Sequence, residues 1–126
     1  MMPKFTLPPD SKLTQDPLEN RRIWVADLRA NADKQGKRML RRGERFCCLG
    51  RAAHLYSPGG WGKLFRRSDG ILPIDVARAL GMDSTDPALA NPTRHAGDFL
   101  SALNDDGFSF AEIADLIENQ PEDWKG

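Results

Sequence analysis

Gln35-Gly-Lys-Arg-Met-Leu-Arg-Arg-Gly-Glu-Arg-Phe-Cys-Cys-Leu-Gly-Arg51 is the stretch on which the fold turns. Two short runs, Lys37 to Leu40 and Arg45 to Leu49, flank the glycine-bearing turn Arg41-Arg-Gly-Glu44, the pattern of a β-hairpin. Alternation along the second run puts Phe46 and Cys48 on one side, Cys47 and Leu49 on the other. Gly50 breaks the strand, and Arg51-Ala-Ala-His-Leu-Tyr56 continues as a short helix. The stretch is also strongly basic. From Lys34 to Arg51 it holds seven cations (Lys34, Lys37, Arg38, Arg41, Arg42, Arg45, Arg51) against the single anion Glu44.

Working back towards the start, Asp16-Pro-Leu-Glu reads as a helix N-terminus. Asp16 suits the cap, Pro17 the first helical position, and Glu19 reaches back to the cap N–H. The helix runs to about Asn31 or Ala32, with Trp24 and Leu28 as its buried stripe and Ile23 and Val25 widening it. Residues 1–15, with three prolines and no periodicity, read as a loose arm, leaving 16–126 as one domain.

Working forward, Ser57-Pro-Gly-Gly-Trp-Gly62 is a turn cluster. Lys63-Leu-Phe-Arg66 and Ile71-Leu72 around Ser68-Asp-Gly70 predict a weaker second hairpin. Pro73 to Gly81 is a helix bracketed by proline and glycine, and residues 83–93 are a loop. Ala96 to Asn104 and Phe110 to about Glu118 are helices joined by Asp105-Asp-Gly107. Ser109 with Glu112 forms a capping box, and Phe108 with Ile113 the accompanying hydrophobic staple. The expected fold is α+β: one small domain, mainly helical, with one or two short β-hairpins and a C-terminal helix–turn–helix.

Length and composition narrow the class. A chain of 126 residues with 40% hydrophobic and 29% charged residues builds one modest core. No apolar run reaches the roughly 20 residues of a membrane span, and the first residues lack the apolar middle of a signal peptide, so the cytoplasm is expected. The only cysteines, Cys47 and Cys48, are neighbours. They cannot bridge without distorting the backbone, and reduced thiols are expected. Net charge is zero but polarised: residues 1–67 carry fifteen Lys/Arg and six Asp/Glu, +9, whereas residues 68–126 carry three and twelve, −9. Such polarity points to binding.

Candidate chemistry is sparse. Cys47, Cys48, His54 and His95 are the soft metal ligands, but structural zinc prefers ligand pairs two to four residues apart, and no metal is expected. A Cys48 nucleophile, with His54 or His95 as base and Asp98 as orienter, lacks any surrounding signature; small buried thiols account for the pair. The turn at Asn104 to Glu112 misses the calcium-loop register at both ends. The helix pair there lacks a cationic second helix for reading DNA. Phosphate-loop and dinucleotide glycine spacings are absent, and no cofactor is expected; a nucleotide pocket built from arginines needs no linear motif and stays open.

Two surfaces remain. The basic one comprises Arg38, Arg41, Arg42, Arg45, Arg66 and Arg67, beside Lys63, with Trp61 to stack on a base. The acidic alternative comprises Asp105, Asp106, Asp115, Glu118, Glu122 and Asp123.

The order Trp24-x-x-x-Leu28-Arg29, Gln35-Gly36, Leu40, Phe46-Cys47-Cys48-Leu49-Gly50, Leu72-Pro73 with Val76, and Leu103-Asn104-Asp105-x-Gly107-x-Ser109-Phe110-x-Glu112-Ile113-Ala114 resembles a family of small uncharacterised tailed-phage and prophage proteins. The likeness spans residues 20–118. Arg51 departs from it, since members often carry Val there. The resemblance implies action inside a bacterial cell. With the charge polarity, it leads to the expectation of a small non-enzymatic protein that binds a host protein or nucleoprotein complex, as an anti-CRISPR inhibitor does. The alternatives are a nucleic-acid-binding accessory module, a nucleotide-sequestering protein and a cysteine-dependent enzyme. Opposite charges on the two halves also permit a homodimer.

Overall fold

The first helix, α1 (Pro17–Ala30), begins as its sequence dictates: the Asp16 carboxylate accepts from Leu18 N at 3.1 Å and Pro17 takes the first helical position. The expected back-bond from Glu19 does not form. The Asp16 N–H donates to Thr14 Oγ1 instead, and Glu19 turns to Arg22 on the surface. The computed structural model describes residues 5–90 and 97–126; His95 and the expected helix start at Ala96 lie outside them. After α1 and a short 3₁₀ turn come β1 (Arg41–Arg42), β2 (Arg45–Phe46), α2 (Cys48–Tyr56), α3 (Ile74–Ala79), α4 (Leu100–Asp105) and α5 (Phe110–Glu118). Among the described residues, five α-helices and one antiparallel hairpin make a small α+β fold.

The core is organised around α2, in which every residue except His54 is buried. It touches α1, α3 and α4, while α1 lies along α5. Trp24 and Leu28 are fully buried as expected, and the Trp24 indole N–H donates to the Cys48 carbonyl at 2.9 Å.

Helix α2 starts three residues earlier than alternation predicts. Cys47 is its N-cap, with the thiol sulfur accepting from Gly50 N, so Cys48 and Leu49 are helical and not on strand faces. Gly50 permits this. A Cβ built there would lie 1.7 Å from the Leu40 carbonyl oxygen, so glycine lets the first turn press onto the chain entering the hairpin. The hairpin itself is tight: Arg41 faces Phe46, Arg42 faces Arg45, and Gly43 turns with φ of 62°.

The second hairpin expected over residues 63–72 does not form. Gly60 to Phe65 closes a compact turn, and the following segment runs beside β1, where Asp69 O accepts from Leu40 N at 2.7 Å and Arg67 O from Arg41 N at 3.0 Å. The free edge of a two-residue strand needs acceptors, and this segment supplies them. The arm expected to be loose is also docked over residues 5–15. Lys12 N donates to Leu55 O, Leu13 is buried, Tyr56 Oη donates to Thr6 O, and Asp10 accepts from Ser57 and Gly59.

Two buried polar side chains, unremarkable in the sequence, lock the periphery. Asn20 donates to Thr14 O and Ala79 O and accepts from Thr14 N, tying the arm and the end of α3 to α1. Arg21 donates to the Gln120 and Pro121 carbonyls and lies 5.5 Å above the Trp124 ring, pinning the C-terminal tail. The capping box of α5 forms as predicted, with Glu112 N to Ser109 Oγ at 3.1 Å and Ser109 N to Glu112 Oε1 at 3.0 Å. Helix α4 spans only Leu100–Asp105. Among the described residues no helix is long and apolar enough to cross a membrane.

Candidate nucleic-acid interface

The basic loop before the hairpin is held from beneath by an amide pair, Asn104 buried and Gln35 half-buried. Gln35 Nε2 donates to Asn104 Oδ1 (3.1 Å) and to Phe108 O (2.7 Å), while Gln35 Oε1 accepts from Phe110 N (3.0 Å). Asn104, wholly buried, also donates to Gly36 O at 2.8 Å and accepts from Cys48 N at 3.1 Å. Three blocks distant in sequence, Gln35-Gly36, Cys47-Cys48 and Asn104-Asp105, therefore meet in one knot. Asp105 adds the last tie, accepting from the Arg38 backbone N–H at 2.8 Å.

Above this knot the chain takes an unfavourable shape. Arg38 has φ of 73°, the only positive φ on a non-glycine residue among those described. A Cβ is disfavoured there, and the surrounding bonds impose the conformation. Lys37, Arg38, Arg42 and Arg45, all exposed, line a cleft of about 330 Å³ with Gly36 at its back. Arg42 and Arg45 stand directly opposite each other across the hairpin, a like-charge pairing that costs stability. Arg45 is steadied by the Asp33 and Gln35 carbonyls. Arg66 and Arg67 are exposed on the segment beside β1, outside the lining of the cleft.

Two residues expected on this face lie elsewhere. Arg41 points to the opposite side of the hairpin, its side chain only 13% exposed, paired with Glu44 at 2.9 Å and lying 5.0 Å from the Phe46 ring and 5.5 Å from Trp61. Trp61 is half-buried, edge-on to Phe65 at 4.7 Å, with its indole N–H donated to His54 Nδ1. It is packed as part of the core rim and not held out as a stacking platform. Strand alternation separates the neighbours: Arg42 faces solvent because Arg41 faces the aromatic cluster.

The acidic residues of the alternative surface are exposed, but half of them are engaged by neighbours in the fold. Arg29 on α1 forks onto Asp115 (2.6 Å) and Glu118 (2.9 Å) of α5; these bonds hold Glu118 below the usual carboxylate range and raise the arginine. Asp105 serves the Arg38 loop, while Asp106, Glu122 and Asp123 are exposed. The two charged halves thus partly neutralise one another along the α1–α5 seam, through Arg29.

A family model for a domain of unknown function, DUF8296, matches residues 18–121. The chain belongs to this family. No curated protein matches it, and no solved structure does.

Beneath the basic face, the DUF8296 domain buries an ion pair that the sequence did not announce. Arg51 Nε and Nη2 bind the two Asp27 carboxylate oxygens at 2.7 and 2.8 Å, with side chains 8% and 11% exposed, and the guanidinium lies 4.7 Å from the Phe46 ring. A charge where an apolar contact was expected is accommodated because α1 supplies its partner. His54 lies beside this pair. Burial depresses its pKa, and Arg51 and Arg41 depress it further. Burial pushes the Cys47 thiol up to about 11 and Cys48 well above its usual value. Cys48 Sγ faces the Leu100 carbonyl at 3.6 Å, the environment of a packed thiol and not of a nucleophile. Among the described residues no group of three or more His, Cys, Asp or Glu is placed to hold a metal ion.

Proposed function

We propose that this protein is a non-enzymatic binding module that grips nucleic-acid phosphates with the face formed by Lys37, Arg38, Arg42, Arg45, Arg66 and Arg67, in the cytoplasm of a bacterial host. The observation that carries the reading is the cleft: four exposed cations converge on it and no acidic side chain lines it. The acidic surface is the weaker candidate, because Asp115 and Glu118 are paired with Arg29 and Asp105 is bonded to the loop. That pairing also withdraws charge from any head-to-tail dimer. Inert placement of both thiols supports a binding role over a cysteine enzyme.

The test is anisotropy of a labelled single-stranded oligonucleotide against salt. Neutralising about four phosphates gives a log–log slope of about −2.8, a roughly 50-fold loss of affinity between 50 and 200 mM salt. Arg42→Glu with Arg45→Glu abolishes binding and leaves the protein folded, with a melting temperature lowered by no more than the loss of the two Arg45 hydrogen bonds. Salt-independent binding, or binding that survives the double reversal, overturns the proposal.

A second reading has its own observation. Leu64 and Ile71 are exposed (55% and 48%) on the segment that carries Arg66 and Arg67, and apolar side chains next to arginines suit a protein surface. In that reading the partner is a host nucleoprotein complex and the module blocks it, the counter-defence role that the likeness to tailed-phage proteins implies. A pull-down from bacterial lysate treated with nuclease separates the two: a stoichiometric protein that survives nuclease favours the inhibitor.

A further inference from the structure

Lys37, Arg38, Arg42 and Arg45 do more than make a surface basic; they crowd their charge into one small volume. Nucleic-acid backbone offers its charges strung along a line, about one per 3.4 Å of each strand. A protein that follows such a line spreads its cations along a groove. Here the cations converge, two of them face to face across a hairpin that is two residues long on each side. The cleft, about 330 Å³, stands at the low end of the roughly 300–1,000 Å³ of small-molecule sites. No aromatic or apolar side chain lines it, so nothing in it reads or stacks a base.

Two costs in the fold are confined to this spot. The Arg42–Arg45 opposition is eased in part by the Asp33 and Gln35 carbonyls on Arg45, and an anion between the two side chains relieves it further. Arg38 occupies a backbone conformation that suits glycine, and the chain carries arginine there. Packing does not require that side chain, which is exposed; the Asp105 bond reaches only its backbone N–H. Stability is given up where charge is gathered, as at a ligand site.

We infer that the cleft binds a pyrophosphate-type group, several phosphates linked in one compact cluster, with whatever carries it left outside. This rests on the reading of the basic face as a phosphate site and deepens it: the preferred nucleic-acid feature is a 5′-terminal triphosphate and not an internal phosphodiester. The same chemistry is offered by a free nucleoside triphosphate. Arg42 and Arg45 close on the cluster from the hairpin, Arg38 and Lys37 from the loop, with planar guanidinium groups suited to paired phosphate oxygens.

The experiment is competition by anisotropy on the full chain. Two labelled RNA probes of one sequence differ only in carrying a 5′-triphosphate or a 5′-hydroxyl; the competitors are pyrophosphate, ATP, inorganic phosphate and unlabelled triphosphate RNA. Expected is at least tenfold tighter binding of the triphosphate probe, displaced by pyrophosphate and ATP at least tenfold more effectively than by phosphate. If ATP displaces the probe as effectively as unlabelled triphosphate RNA does at equal concentration, the RNA terminus is no privileged source and free nucleotide is the ligand. Equal affinity for the two probes, with no displacement by pyrophosphate, overturns the inference while the nucleic-acid reading stands. Binding of pyrophosphate without binding of either RNA overturns the nucleic-acid reading and keeps the cleft. Arg38→Gly separates ligand from scaffold: it retains the left-handed backbone, melts no lower than the parent, and loses at least fivefold in pyrophosphate affinity. Unchanged affinity in that variant refutes the assignment of Arg38.

Discussion

Replacing Asn104 by alanine tests the knot on which the basic loop rests. The wild-type amide makes three bonds inside the fold: it accepts from Cys48 N and Gln35 Nε2, each at 3.1 Å, and donates to Gly36 O at 2.8 Å. Alanine leaves the Cys48 N–H, at the start of the central helix, and the Gly36 carbonyl without these partners. An unsatisfied buried group costs about 1–3 kcal/mol, so the two together cost about 2–6 kcal/mol out of a typical stability of about 5–15 kcal/mol. At about 4 °C per kcal/mol for a domain of this size, the melting temperature falls by about 8–24 °C. Thermal and urea denaturation followed by circular dichroism give both numbers. The loop prediction is separate: below the transition, the folded variant binds anions less tightly although no cation has been removed. Gln35→Ala supplies the cycle. Since Gln35 and Asn104 share a bond, the double variant is less destabilised than the sum of the singles by about 0.5–3 kcal/mol. A melting point lowered by less than 3 °C, or strictly additive losses, refutes the claim that this pair organises the site.

Arg51→Val strands the Asp27 carboxylate at a site 11% exposed, and the loss is about 3–5 kcal/mol by denaturant titration; adding Asp27→Leu recovers part of it, and a double variant worse than the single contradicts the buried-pair argument. His54 has a folded pKa below its usual 6.5, so the unfolded chain binds more protons and stability is present above pH 6.5 and declines as pH falls through that value towards the folded pKa. His54→Gln removes that part of the decline, measured as the difference in melting temperature between pH 7.5 and pH 5.5; an identical difference in both proteins excludes this source. Both thiols, raised by burial, react with a thiol-specific disulfide reagent at pH 8 at least a hundredfold more slowly in the native protein than in urea; labelling of either at the unfolded rate contradicts their placement.

Much of the scaffold was legible because its determinants act over one turn of chain. The Asp16 cap with Pro17, the Ser109–Glu112 box, the Trp24–Leu28 stripe and the glycine turn of the hairpin are decided by residues within four positions of one another. The α+β class follows from their order. Composition likewise located the cations. Local rules failed where a distant segment outbid them: alternation beyond Phe46 yielded to a helix start held by Asn104 on the Cys48 N–H and pressed onto Leu40 at Gly50, and the second hairpin yielded to the unpaired edge of β1.

What the sequence alone determined is thus where the helices begin, where the chain turns, and that its charge is divided between two halves. The tertiary structure decided which charges remain available. Arg41 and Arg42 are chemically identical neighbours, yet one lies against Phe46 and Trp61 and the other faces solvent. Arg51 finds Asp27 24 positions away, and Gln35 finds Asn104 across 69. Pairings at such separations are fixed only when packing brings the elements together, because no local propensity encodes which distant partner will satisfy a buried polar group.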